Sequence, residues 1–233
     1  MAQEQIFEVR QDRTNALAIE IAARIAAAVA DRGTATLVAT GGSTPAPLYD
    51  ALAQSPAPWD KTTVTLTDER WVDVNDKASN ERLVRDHLLV DHAASAWFVG
   101  LKTDDATPAQ AARAVQQALQ GLPHPFDVVV LGMGGDGHFA SLFPHASELA
   151  AGLAPQSTDL IIPVRREDAA GAAQRLSLTA SAILGARWIA ILIDGQDKLD
   201  ICRVALAGDD ELALPIRAIL NQTSVPVEIW WAP

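Results

Sequence analysis

"VVVLGMGGDGHFASLFP", residues 128–144, runs an apolar segment straight into Gly132, Gly134 and Gly137. That is the G-x-G-x-x-G spacing of a dinucleotide-binding turn. Such a turn needs a long helix directly after the glycines and a second strand closing on Asp or Glu about twenty residues further on. Pro144 interrupts any such helix soon after Gly137. The next apolar run, "LIIPV" at 160–164, is followed by Arg165 and Arg166 rather than an acid. Asp136 also sets a carboxylate where a pyrophosphate would lie. The stretch therefore reads as a strand ending in a glycine loop that carries Asp136-Gly137-His138. An acid and a histidine two apart, among glycines such as Gly134 that let backbone N–H groups approach a ligand oxygen, is the layout of a general base beside an oxyanion site.

The same punctuation recurs on either side of this stretch. "TATLVAT" stops at "GGSTPAP" and resumes as a helical "LYDALAQ"; "KTTVTLT" leads into "DERWVDVNDKASNERLVRDHLL"; "ARWIAILI" leads into "DGQDKLDICRVALA". Leu17, Ile21, Ile25 and Val29 lie at helical spacing and predict an amphipathic helix over 13–31, a second helix is expected over 107–119 after Thr107-Pro108, and "VEIWW" closes the chain as a short apolar run. Strands that are apolar without alternation, separated by helices, predict an α/β fold of one domain over 1–233. Its sheet is expected to be mostly parallel, with helices on both faces in a Rossmann-like arrangement. Ligands of such sheets sit at the carboxyl ends of the strands, where the unusual polar stretches fall.

Two of these stretches suit a phosphorylated ligand. In "TGGSTPAP", residues 40–47, Gly41 and Gly42 permit a tight turn, Ser43 or Thr44 is placed to cap, and Pro45 fits a first helical turn. A helix N-terminus there favours phosphate. The loop lacks the terminal lysine of a nucleotide P-loop, so ATP is not implied. Asp68, Glu69 and Arg70 follow another strand directly. Arg70 is suited to grip phosphate bidentately, and Asp68 to face sugar hydroxyls or a histidine. His87, His92, His124 and His145 show no metal-pair spacing, so neither a metal nor a cofactor is expected.

The formal net charge of −11 argues against a general nucleic-acid or acidic-membrane surface. An anionic ligand must then meet a local cluster of positive groups. Cys202 is the lone cysteine, which rules out an internal disulfide and a thiolate zinc site and fits a reducing cytoplasm. No stretch reads as a secretory signal or a membrane span, since the longest apolar run, 21–30, is broken by Arg24. A cytoplasmic enzyme working as a monomer, rather than as an obligate oligomer, is the expectation.

Taken in order along nearly the whole chain, "GGSTP" at 41–45, "DERWV" at 68–72, "SNERL" at 79–83, "GMGGDGHFASLFP" at 132–144, "RLSLT" at 175–179 and "GQDK" at 195–198 resemble the 6-phosphogluconolactonases, relatives of the glucosamine-6-phosphate isomerases and deaminases. The resemblance implies the same α/β fold. It also implies hydrolysis of 6-phospho-D-glucono-1,5-lactone, a phosphorylated sugar lactone, to 6-phospho-D-gluconate in the oxidative pentose phosphate pathway. His138 falls on the family's proposed base. Arg70 and Lys198 fall on its phosphate-binding positions, with the loop at 41–44 in support, and Arg175 on a site-shaping or phosphate-side position. Whether Asp68 or Asp136 orients the base is left open. The deaminases look like D-G-H-I-A-F-N-E-P, with a glutamate five residues after the histidine, where this chain has Phe143. Phenylalanine cannot carry a proton, so deamination or isomerisation loses a partner that hydrolysis does not need. Two other readings are a glucosamine-6-phosphate deaminase and a non-catalytic sugar-phosphate sensor, and retention of His138 speaks against the second.

Overall fold

The computed structural model describes residues 2–167 and 172–233. In chain order the elements are β1 (Gln3–Ile6), α1 (Arg10–Arg32), β2 (Ala35–Ala39), α2 (Ala46–Ala53), β3 (Thr62–Leu66), β4 (Asp68–Arg70), α3 (Asn80–His87), β5 (Trp97–Phe98) and α4 (Pro108–Gln120). They continue with β6 (Val128–Leu131), α5 (Leu149–Leu153), β7 (Ile161–Arg165), β8 (Gln174–Leu178), α6 (Ala180–Leu184), β9 (Ile189–Asp194), α7 (Gln196–Leu206), α8 (Arg217–Leu220) and β10 (Val227–Ala232). Seven strands form one sheet in the order β1-β10-β9-β6-β2-β3-β5, with every neighbouring pair parallel.

The expected helices form for the reasons their sequence offers. In α1, Leu17, Ile21 and Ile25 are buried along one stripe, and the helix stops where Gly33 turns left-handed (φ 81°) and its N–H reaches Val29 O. Thr107 and Gln110 make a reciprocal capping box at the start of α4, with Pro108 in its first turn. Every residue of β2 and of β6 is buried. Successive side chains of a strand point to opposite faces, so both faces of the sheet centre are covered.

A second, three-stranded antiparallel sheet of order β4-β8-β7 was not legible in the strand-helix alternation. β4 spans three residues, too few to show a period. "LIIPV" carries Pro163, which is tolerated because β7 is an edge strand of this small sheet. Thr67 joins the two sheets: its N–H donates to Ala39 O (2.8 Å), and its carbonyl accepts from Leu178 N–H (2.8 Å).

From β2 the chain passes to its neighbour β3 on one side, whereas from β6 it next enters the main sheet at β9 on the other. The crevice beyond the carboxyl ends of β2 and β6 is therefore the topological switch point, where open parallel sheets bind ligands.

Candidate active site

A cavity of about 240 Å³ occupies this switch point. Thr40 to Pro45 line it after β2, Asp68 and Arg70 after β3, and Gly132, Met133, Gly134, His138 and Ala140 after β6. Asn80, Arg175, Leu192 and Lys198 complete the wall among the described residues. Of the candidate catalytic and ligand-binding residues read from the sequence, all lie on this lining except Asp136.

Asp136 acts on the histidine. Its Oδ1 accepts from His138 Nδ1 (2.5 Å) and from the His138 backbone N–H (3.2 Å), while its Oδ2 pairs with Arg166 Nη1 (3.2 Å). Burial pushes the Asp136 carboxyl up, but the hydrogen bonds and charge of His138, joined by Arg166, outweigh it and hold the carboxyl well below the ordinary carboxylate range. With Nδ1 bonded to the Asp136 carboxylate, which can only accept, Nε2 is the ring nitrogen left without that bond. One face of that ring packs against Phe143, with centroids 4.4 Å apart and planes at 45°. Asp68, the other acid considered for this role, instead accepts from Ser141 Oγ (2.6 Å), Thr67 Oγ1 (3.0 Å) and Asn80 Nδ2 (3.4 Å). Of the two carboxylates, the structure puts Asp136 on the imidazole.

Two expectations for the loops need correction. The N–H of Gly134 donates to His138 O (2.9 Å) and that of Gly137 to Gly134 O (3.0 Å), so these amides build the turn and are not oxyanion donors. What Gly134 supplies is room: a Cβ there would stand 2.1 Å from His138 Nδ1. Nor does Ser43 or Thr44 cap α2. Pro45 takes the N-cap place in a helical conformation, with no side-chain cap bond, so both hydroxyls fall too early in the chain to reach the helix amides. Among the described residues, the backbone N–H groups of Gly42, Ser43 and Thr44 make no hydrogen bond, nor do those of Met133 and Ala140 in the stretch after β6, so the loops after both strands keep open donors on the cavity lining.

Arg70 is held from behind by Glu69. The fully buried Glu69 carboxylate accepts from the N–H groups of Arg70 (2.7 Å), Asn80 (2.8 Å) and Glu81 (2.7 Å) and from Ser79 Oγ (3.0 Å). It thereby ties β4 to the amino end of α3. Burial raises its carboxyl above the ordinary value against these four donors. Arg70 Nη1 donates to Ala78 O (2.6 Å), and its Nε has no partner among the described residues. Lys198 enters from the first turn of α7, which Gly195 (φ 83°) sets off from β9. Arg175 is 4% exposed and lies between Ser141 Oγ (3.4 Å) and Asp68 Oδ2 (3.9 Å). Burial draws its guanidinium below the ordinary value; Asp68 opposes this, and the positive Arg70 and Arg166 add to it. The cavity thus gathers cations suited to an anionic group, Arg70, Arg175 and Lys198, and the Asp136-paired His138 suited to proton transfer.

Asn80, Ser141 and Arg166 were not anticipated in these roles. Asn80 donates to Asp68 O (2.8 Å) and lies against Gly41, where a Cβ would come within 1.8 Å of its Oδ1. The signal in the sequence was Ser79, which caps α3 by accepting from Arg82 N–H. A residue directly after a cap is thereby fixed at a helix start, but which way it faces follows only from the fold.

The family model described as glucosamine-6-phosphate isomerases/6-phosphogluconolactonase matches residues 8–231. A 6-phosphogluconolactonase of Pseudomonas putida is 44% identical over 98% of this chain and 93% of its own length. One of Rhizobium meliloti is 42% identical, covering 98% of this chain and 97% of its own. The crystal structure of a 6-phosphogluconolactonase from Shewanella baltica superposes with a TM-score of 0.96 at 41% identity, covering 100% of this chain and 98% of that one.

Proposed function

The chain belongs to the glucosamine-6-phosphate isomerase/6-phosphogluconolactonase family, and on that premise we propose that it hydrolyses 6-phospho-D-glucono-1,5-lactone to 6-phospho-D-gluconate in the oxidative pentose phosphate pathway. The observation that carries the mechanism is the Asp136–His138 pair at a cavity that Arg70 and Lys198 also line. Nε2 of His138 takes a proton from water as the water oxygen bonds to the lactone carbonyl carbon. The resulting oxyanion is met by the open amides of the 42–44 loop; one such donor is worth about 3 kcal/mol of barrier. Collapse of the tetrahedral species breaks the bond to the ring oxygen, which receives the proton from His138 and leaves as a hydroxyl. Asp136 holds the ring and balances the transient imidazolium. Arg70 and Lys198 hold the phosphate and supply position rather than chemistry.

Phe143 at the place of the deaminases' glutamate argues for hydrolysis over ring-opening isomerisation. The acidic charge excess opposes nucleic-acid binding, and among the described residues no helix is long and apolar enough to cross a membrane. The lone, buried Cys202 suits a reducing cytoplasm. The test is a direct assay on freshly generated phosphorylated lactone with the spontaneous rate subtracted, using protein dialysed against EDTA and glucosamine 6-phosphate as the contrasting substrate. Acceleration on the lactone alone is expected. Ammonia release from glucosamine 6-phosphate without lactone hydrolysis, or activity that returns only with added metal, would overturn the reading.

A further inference from the structure

His138 and Asp136 share one glycine loop, whose His138 N–H holds Oδ1 of the carboxylate but not Oδ2. Asp136 Oδ1 is occupied by His138, so the rotation of the carboxylate is decided by what holds Oδ2. That partner is Arg166, which follows β7 of the small antiparallel sheet and so reaches the loop from a separate part of the fold. The Arg166 guanidinium in turn lies over Phe143, its Cζ 4.7 Å from the ring centroid, and the same ring packs on His138. The contacts close a circuit: His138 to Asp136, Asp136 to Arg166, Arg166 to Phe143, Phe143 back to His138. Arg166 is not among the described residues lining the cavity.

We propose that Arg166 is a positioning residue for the reaction, fixing the Asp136 carboxylate so that the His138 imidazole is held with Nδ1–H bonded and Nε2 ready to accept the proton. The guanidinium serves because it can donate to a carboxylate while stacked on an aromatic face, which an ammonium does less well. The Asp136 carboxylate, ionised as described above, is the acceptor this requires. Phe143 then has a second use besides the absence of a proton-carrying group: it is the platform on which Arg166 and His138 are set at a fixed separation.

The inference rests on the lactonase reading for its kinetic arm but has an arm that needs no substrate. Arg166→Met keeps an apolar stem against Phe143 and removes the charge and donors; Arg166→Lys keeps the charge. With the phosphorylated lactone, Arg166→Met should lower kcat on the order of 10²-fold, as a misplaced catalytic group does, at nearly unchanged KM, and Arg166→Lys should restore part of the loss. In the free protein, the low-field proton NMR signal of the bonded His138 Nδ1–H, assigned by its loss in Asp136→Asn, should disappear in Arg166→Met and return in Arg166→Lys. A rise in KM for the phosphorylated lactone with kcat held would make Arg166 a phosphate contact and overturn the proposal. So would an Nδ1–H signal that survives in Arg166→Met, or a lysine variant no better than the methionine one. If the protein hydrolysed no lactone at all, the NMR arm would still decide whether Arg166 fixes the pair.

Discussion

Replacing Gly134 by alanine places a methyl carbon 2.1 Å from both Cε1 and Nδ1 of His138 and 2.8 Å from Asp136 Oδ1. Ordinary contact begins at 3.4 Å, so the ring must retreat by more than about 1 Å, a displacement that costs on the order of 10²-fold when it misplaces a reacting group. The backbone itself is not strained, because Gly134 is not among the glycines with positive φ. The ring can swing outward, since the His138 side chain is already 28% exposed. What is lost from stability is the Phe143 contact, about 0.5–1.5 kcal/mol, and the partly exposed hydrogen bond to Asp136, on the order of another 1 kcal/mol, so the melting temperature should fall by roughly 3–10 °C in a chain of this size. Turnover, in contrast, should fall on the order of 10²–10⁴-fold, as for loss of a positioned base. Gly135→Ala is the matched control: nothing lies within 4 Å of its added carbon, and its φ is not positive. Initial rates on the phosphorylated lactone, melting curves, and calorimetric titration with 6-phosphogluconate would be compared for the two variants. The reasoning fails if Gly134→Ala turns over as fast as Gly135→Ala, or if it loses product binding as severely as turnover.

Glu69→Gln should cost about 2–3 kcal/mol in urea denaturation, because an amide N–H would face buried N–H donors that now meet a carboxylate; it should also raise KM for the phosphorylated substrate through Arg70. An unchanged urea midpoint would show that Glu69 does not hold β4. Cys202, fully buried, has its thiol pushed up to about 12 by burial, with Glu4 adding and Lys198 opposing. It should resist a thiol reagent in the native protein and react once in urea, and fast native labelling would contradict its burial. Asp136 titrates below its unfolded value when folded, so its contribution to stability is present above the ordinary carboxylate range and lost as pH falls through that range toward the folded value. The urea-midpoint gap between wild type and Asp136→Asn should therefore close on acidification, and a gap that widens would reverse the assignment.

The parallel sheet was legible because β2, β6 and β9 are short, largely apolar runs and β3 a β-branched one, each bounded by glycine or polar residues, and helices such as α1 carry a plain stripe. The cavity loops were legible because chemistry-bearing residues stand immediately after those strands. The antiparallel sheet was not, since β4 pairs with β8 from far off in the chain, in a register such as Arg70 opposite Arg175 that no local pattern records, and β7 and β8 are joined by a connection, 166–173, too long to read as a tight hairpin turn. Choosing between Asp68 and Asp136 required the same long-range information. Both follow strands, but Asp68 is turned toward Ser141, which lies 73 residues away in the chain. Gly134 shows the difference in kind: its spacing suggested an amide offered to ligand, whereas its place in the fold shows a missing side chain making way for an imidazole.

His138→Asn is the substitution that bears most directly on the account, because asparagine keeps a polar side chain of similar reach and cannot take water's proton. The measurement is turnover of freshly generated 6-phosphogluconolactone, corrected for spontaneous hydrolysis, beside the affinity for 6-phosphogluconate. If His138 is the base, the variant binds the product nearly as wild type does and loses turnover on the order of 10²–10⁴-fold. Near-wild-type turnover in His138→Asn would contradict the account and move the search for the base to the carboxylate of Asp68.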